Sequence, residues 1–306
     1  MALATHFSEI LKEEQFTVKE IQHAFRRIKQ FDTIGMPLLL NKQVVLITGA
    51  SSGIGKSCAT YLTQKGYKVY GTSRELDKEE EYEMIKMNVN NSHSVQEGIS
   101  HILDKEGRID IVINGAGIGI AGAIEDTSIE EVKLQFETNF YGIYRVCKEV
   151  LPIMRKQQAG CLINIGSIGG LVGIPFQGMY SASKYAIEGF TEALRMEVKP
   201  YGIRTVLIEP GDYNTGFTNN RIKTEESQIN ATYSKRFENA LEVMEKDERN
   251  GANPIKIAIL IERIINTTSP NLRYVSSNAF QRSAISLKRF MPSGLFEWIM
   301  MKIYKV

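Results

Sequence analysis

Three side chains could exchange a proton with a carbon-bound oxygen: Ser167, Tyr180 and Lys184. The run Tyr180-Ser-Ala-Ser-Lys184 opens a stretch whose pattern stays helical to about Val198, and residues i and i+4 share one helix face. A phenol has a reference pKa of ~10 and is a poor base at neutral pH. A neighbouring ammonium favours the phenolate, and a cationic nicotinamide beside it would push the same way. Ser167, just after an apolar run, is placed to hydrogen-bond a substrate oxygen while a hydride moves at the adjacent carbon. A lone Tyr-x-x-x-Lys is usually surface decoration, so its weight depends on the residues that accompany it.

The second chemistry is phosphate binding. Thr48-Gly49-Ala50-Ser51-Ser52-Gly53-Ile54-Gly55 follows one apolar run and opens a helical one. Glycines there permit a tight turn, and a helix N-terminus offers free N–H groups to a pyrophosphate. Gly55-Lys56-Ser57 imitates the end of a nucleotide triphosphatase loop, but that spacing needs glycine at 50, where the chain has Ala50. In dinucleotide folds an acid about 20 residues past the glycines binds the ribose 2′-hydroxyl of NAD, whereas an Arg accommodates a 2′-phosphate. Here the next strand ends in Gly71-Thr72-Ser73-Arg74 with no acid, so NADP(H) is expected over NAD(H).

These groups must be held by a framework, and the pattern from residue 42 supplies one. Strands are predicted at Gln43–Thr48, Tyr67–Gly71, Met84–Met87, Ile109–Asn114, Cys161–Ile165, Arg204–Ile208 and Arg273–Ser276, with helical stretches between. Continuous apolar strands alternating with helices imply a doubly wound, Rossmann-type α/β fold: about seven parallel strands with helices on both faces. Residues 1–40 read as a helical N-terminal extension, with Thr17 and Glu20 fitting a capping box. Residues 41–280 form the catalytic domain, with a lid over 211–250 whose polar stretch 216–250 follows the sixth strand. Residues 281–306 read as an amphipathic cap.

Together these residues resemble the short-chain dehydrogenase/reductase family across roughly residues 42–280. The matching elements are Thr48-Gly49-x-x-x-Gly53-x-Gly55, Asn114-Gly115-Ala116-Gly117, Asn139, Ser167, Tyr180 with Lys184, and Pro210-Gly211 with Thr215. The resemblance implies that Tyr180 gives or takes the proton, Lys184 holds the nicotinamide ribose and lowers the phenol's pKa, and Ser167 polarises the carbonyl. Asn139 would hold a water in a proton path. Gly49, Ser51, Ser52, Gly53, Ile54 and Gly55 would cradle the cofactor, and Asn114, Ala116 and Gly117 would pack on its adenosine half. Ser73 and Arg74 would face the 2′-phosphate, and Pro210, Gly211 and Thr215 the nicotinamide end. Two positions depart from the family pattern. Gly115 replaces a common asparagine and is expected to loosen its turn; Asn88, before Val89, replaces an acid, and both are kept as adenine contacts.

Composition narrows the function further. Lys plus Arg total 37 against 35 Asp plus Glu, so no basic excess points to nucleic acid. No run of ~18 apolar residues predicts a membrane span. Cys58, Cys147 and Cys161 and the four histidines lack metal or disulfide spacing, which fits a cytoplasmic chain without a metal. The apolar, glycine-rich stretches Ile118–Ala123 and Ile168–Met179 suggest a cleft for a small hydrophobic ketone or secondary alcohol, like the substrates of the hydroxysteroid and retinol dehydrogenase branch. The expected function is NADP(H)-dependent hydride transfer to or from such a steroid-, retinoid- or lipid-like substrate. An epimerase or dehydratase with tightly held cofactor, or a non-catalytic NADP sensor, are the alternatives. The family resemblance implies a homodimer or homotetramer. The basic, apolar carboxyl end is read as packing over the cleft, with peripheral membrane contact as the other reading.

Overall fold

A computed structural model describes residues 42–76 and 79–306; the helical extension expected at 1–40 lies outside them. Lys42–Val306 pack as one compact unit. Its centre is the strand β1 (Val44–Thr48), five buried residues of which four are β-branched. Six further strands join it: β2 (Lys68–Ser73), β3 (Glu83–Lys86), β4 (Ile111–Asn114), β6 (Gly160–Ile165), β7 (Ile203–Pro210) and β9 (Arg273–Ser276). They form one parallel sheet in the order β3-β2-β1-β4-β6-β7-β9, a Rossmann-type arrangement with β1 beside the reversal of strand order.

Both faces of the sheet are covered, which is why the strands are apolar without interruption. Val44, Leu46, Val112, Leu162 and Leu207 pack on one face with side chains from α2 (Ser92–Glu106), α4 (Gly142–Gln157) and α5 (Gly178–Val198). Val45, Ile47, Ile113, Ile163 and Ile208 pack on the other with α1 (Gly53–Gln64) and α8 (Ile255–Ile265). The period of two along each strand sends alternate residues to the two layers.

Several elements were not legible as separate pieces. After α3 (Ile129–Phe136), capped by the reciprocal Ser128–Glu131 box, the chain makes a π-helical turn at Glu137–Tyr141. Residues 216–250 fold as β8 (Ile222–Lys223), α6 (Glu225–Ile229) and α7 (Ser234–Arg249). The two residues of β8 pair in parallel with β5 (Ile120–Ala121) and fasten the lid to one wall of the cleft. The carboxyl end is two helices, α9 (Ala279–Phe290) and α10 (Ser293–Tyr304), separated at Met291-Pro292, where proline cannot continue a helix. Among the described residues no helix is long and apolar enough to cross a membrane, and no His, Cys, Asp and Glu cluster could hold a metal.

Candidate active site

The reacting groups stand at the carboxyl ends of β6 and β7, where parallel sheets place their ligands. Ser167 leaves β6 in extended conformation, and its hydroxyl accepts from Gly169 N–H at 3.0 Å. Tyr180 lies in the first turn of α5, only 8% exposed. An ideal Cβ built on Gly169 would stand 3.2 Å from the Tyr180 ring and 3.4 Å from Ser167 Oγ, so glycine lets both converge on one point. Lys184 Nζ is 5.8 Å from the centre of the Tyr180 ring and donates to Ile165 carbonyl at 3.0 Å, leaving two further N–H bonds.

Burial dominates the titration of these groups. It pushes the Tyr180 phenol up to about 12, against the opposing hydrogen bond from Ser167. It pushes the Lys184 ammonium down to about 8, opposed by the Glu209 carboxylate. The expected lowering of the phenol by Lys184 does not appear: desolvation dominates, and Ser167 and Arg221 are the groups that oppose it. A neutral tyrosine results.

Asn139 sits in the π-helical turn, fully buried. Its amide donates to Ile118 carbonyl at 3.0 Å and to Ser183 Oγ at 3.1 Å, and its oxygen accepts from Ile118 N–H at 2.9 Å. The side chain thus fixes the cleft wall to α5, and any water at Asn139 has to use its backbone. An ideal Cβ on Gly117 would be 3.4 Å from Asn139 Oδ1 and 3.9 Å from Lys184 Nζ, so Gly117 borders the same spot.

The glycine turn suits a dinucleotide. Gly49 and Gly53 have φ of +70° and +54°, conformations that favour glycine. A Cβ on Gly55 would fall 2.2 Å from Gly49 carbonyl oxygen, so the first turn of α1 presses on the loop. Ser52 starts α1 with no side-chain cap and no acid follows in the first turn, which leaves the helix N–H groups to an anion. Ser51 and Ser52 are exposed, Ile54 is half-buried, and an ideal Cβ on Gly53 would stand 3.4 Å from the Thr215 side chain. Gly115 does not loosen its turn: Thr48 Oγ1 accepts from Gly115 and Ala116 N–H at 3.1 Å each. The side chain of Asn114 turns into the sheet, donating to Asn164 at 2.9 Å. Ser73 is half-buried at the end of β2 and Arg74 exposed beyond it. Asn88 accepts from Asn90 N–H at 3.1 Å, while Val89 is buried. Pro210 is buried, and Gly211 lies under α9, where a Cβ would meet Gln281 at 2.1 Å.

Four residues with a place in this site were missed in the sequence. Phe217 rests 5.8 Å from the Tyr180 ring, Arg221 and Glu248 form a buried pair beside it, and Glu209 accepts from Ser167 N–H at 2.7 Å. Glu209 immediately precedes Pro210-Gly211 after the apolar run Val206-Leu207-Ile208, and that misplaced acid was the available signal. A cavity of about 730 Å³ does not touch Tyr180; Ile168, Val172 and Asp212 line it on one side and Phe280, Met300 and Tyr304 of the carboxyl-terminal helices on the other.

A Rossmann sheet with a glycine turn at β1 and a Ser–Tyr–Lys group at β6–α5 defines a nicotinamide-dependent oxidoreductase. Residues 43–226 match the short chain dehydrogenase family, and the chain belongs to that family. Among its relatives, a 3-ketodihydrosphingosine reductase of Bacteroides thetaiotaomicron is 43% identical over 87% of this chain and all of its own length. The human 17-beta-hydroxysteroid dehydrogenase type 1 is 30% identical over 78% of this chain and 79% of its own. Of solved structures, a short-chain dehydrogenase from Streptomyces avermitilis superposes with a TM-score of 0.74 at 28% identity, covering 85% of this chain and 98% of its own. ElxO with NADP bound gives 0.65 at 27% identity, covering 79% and 99%.

Proposed function

We propose that this chain is an NADP(H)-dependent reductase of a lipid-like ketone, with Tyr180 as the proton donor. The observation that carries the reading is the convergence of the Ser167 hydroxyl and the Tyr180 phenol on one point beside the Lys184 ammonium. The substrate class is supported by the apolar cleft walls and by the 43% identical relative, named for the reduction of a long-chain keto lipid. The glycine turn and the open start of α1 would hold the pyrophosphate, Ser73 and Arg74 the 2′-phosphate, and Gly117, Lys184 and Thr215 the nicotinamide half. Bound there, the cofactor supplies a hydride; the chain's own residues supply orientation and the proton.

Ser167 would donate its hydroxyl proton to the ketone oxygen and hold that oxygen against the phenol. Reduction of the carbon leaves an alkoxide, far more basic than a phenolate. Proton transfer from the neutral Tyr180 phenol would then run downhill even though burial raises the phenol's pKa. Tyr180→Phe removes this proton and should lower kcat by at least ~10²-fold while NADP⁺ affinity changes little. Undiminished turnover by the variant would refute the assignment.

The same reading includes a cytoplasmic homo-oligomer. It is supported by three buried free cysteines and by exposed Leu134, Tyr141 and Tyr144 along α3 and α4; light scattering tests the assembly. The outer faces of α9 and α10 expose Phe290 and Trp298 beside Arg289 and Lys302, which supports peripheral contact with an anionic membrane surface.

A further inference from the structure

Arg221 is the one guanidinium among the described residues that is both buried and left with idle donors on two nitrogens. Its side chain is 1% exposed, and only Nη2 is paired, with Glu248 Oε1. Nε and Nη1 are buried and have no partner, so three of its five N–H bonds are unused. Buried donors, charged ones above all, are ordinarily satisfied, so an idle guanidinium edge in a cleft marks a place for an acceptor.

Its surroundings identify the cleft. Arg221 immediately precedes β8, whose Ile222 N–H donates to Gly119 carbonyl at 2.9 Å, tying it to the wall that Ile118–Ile120 form. The guanidinium carbon lies 5.8 Å from the Phe217 ring, and that ring lies 5.8 Å from the Tyr180 ring. Arg221 is also near enough to Tyr180 for its charge to favour the phenolate. A short ladder, rather than a free loop, holds the edge one aromatic ring, Phe217, away from Tyr180.

The charge balance selects the kind of acceptor. Glu248 already compensates the guanidinium, and its second oxygen accepts from Thr218 Oγ1 at 2.6 Å. A further anion would face Glu248 and Asp212, and burial with acidic neighbours already pushes Asp212 up to about 6. A neutral oxygen meets no such opposition. We propose that Arg221 is a specificity-determining residue whose Nε and Nη1 edge holds a hydroxyl oxygen carried by the substrate beside its carbonyl. The pocket therefore selects hydroxylated, amphiphilic ketones over plain hydrocarbon ketones. This inference rests on the reductase reading for its substrate class.

The test compares a long-chain methyl ketone with the same ketone hydroxylated on the carbon next to the carbonyl. Wild-type enzyme with NADPH should prefer the hydroxy ketone by about 10- to 100-fold in kcat/KM, the span of one hydrogen bond to a charged group. Arg221→Lys keeps a cation for Glu248 but cannot present the fork, and the ratio of the two kcat/KM values should fall toward one. The double variant R221Q/E248Q, which leaves no uncompensated charge, should do the same. Taking each variant's ratio relative to wild type cancels the intrinsic activation by the hydroxyl. Binding of the matching product alcohols in the presence of NADP⁺ provides a readout without turnover: the diol should bind more tightly than the mono-alcohol in wild type only. If neither ketone is reduced, the reductase reading fails, and the alcohol-binding difference still decides the role of Arg221. A preference that survives in both variants, no preference in wild type, or a matching loss of NADP⁺ affinity in the variants would each overturn the assignment.

Discussion

Glu209 lies under Ser167, and replacing it tests how the site is built. The carboxyl is fully buried, accepts from Ser167 N–H at 2.7 Å, and crowds Gly166 so closely that an ideal Cβ there would stand 2.1 Å from its Oε1. Burial and then the adjacent Glu188 carboxylate raise its pKa well above the ordinary range, while Ser167 N–H and Lys184 oppose them. Arg273 Nε holds both oxygens of Glu188, at 2.9 and 3.0 Å. The raised pKa favours the protonated form of Glu209. In the interval from the unfolded pKa up to the raised folded one, the native state binds more protons than the unfolded state. Wild-type stability must then fall as pH rises through that interval, by about 1.4 kcal/mol per unit of pKa gap. Glu209→Gln copies the protonated carboxyl, with an oxygen for Ser167 N–H and an amide in place of the O–H. It should match wild type at pH near 5 and exceed it at pH near 8. Glu209→Leu strands the Ser167 N–H and should cost about 1–3 kcal/mol at every pH, or roughly 2–4 °C in Tm per kcal/mol for a domain of this size. Thermal unfolding of the three proteins across pH measures both effects. If the glutamine variant is as damaged as the leucine one throughout, the native state needs an ionised Glu209 and the reasoning fails.

Two more predictions follow from the edges of the fold. Arg74 is exposed at the end of β2, so Arg74→Ala should leave folding intact while weakening NADPH by about 10- to 100-fold and NADH little, as measured by equilibrium binding; equal losses would refute the preference for the 2′-phosphate. Phe290 and Trp298 are 83% and 57% exposed, so the wild-type protein should co-sediment with anionic vesicles and F290S/W298S should release it; failure of wild type to sediment would remove the membrane reading.

The sequence made legible what depends on local spacing. The strand cores were readable because both faces of each are buried, which leaves an unbroken apolar run. The glycine turn and Tyr180-x-x-x-Lys184 were readable because each acts within one turn of chain. Most strand boundaries moved by one or two residues: β7 continues to Pro210, where the predicted strand stops at Ile208, because Glu209 stays in register with Val275. The two-residue ladder of β5 and β8 has too little sequence to show a period, and its register comes from pairing across a hundred residues.

The polar part of the site was illegible for a single reason. Arg221 and Glu248 lie in a stretch whose many charges look like a solvated surface, and nothing in their spacing distinguishes the buried pair from exposed neighbours such as Arg249 and Glu245. Only the fold separates them, by pinning Arg221 to the cleft wall while α7 brings Glu248 against it. The resulting site contains two cations, Lys184 and Arg221, each with an acid close by: Glu209 and Glu248. With Arg221 and Glu248 opposing each other at the phenol, desolvation is left to set the state of Tyr180, and desolvation favours the neutral phenol. Removing the Arg221 charge alone would leave Glu248 facing the phenol and push its pKa higher still, whereas removing Glu248 alone would pull it down. Under the proposed reductase function, Arg221 and Glu248, outside the Ser–Tyr–Lys group, would tune the acid, and the pH dependence of kcat in the single variants should shift in opposite directions.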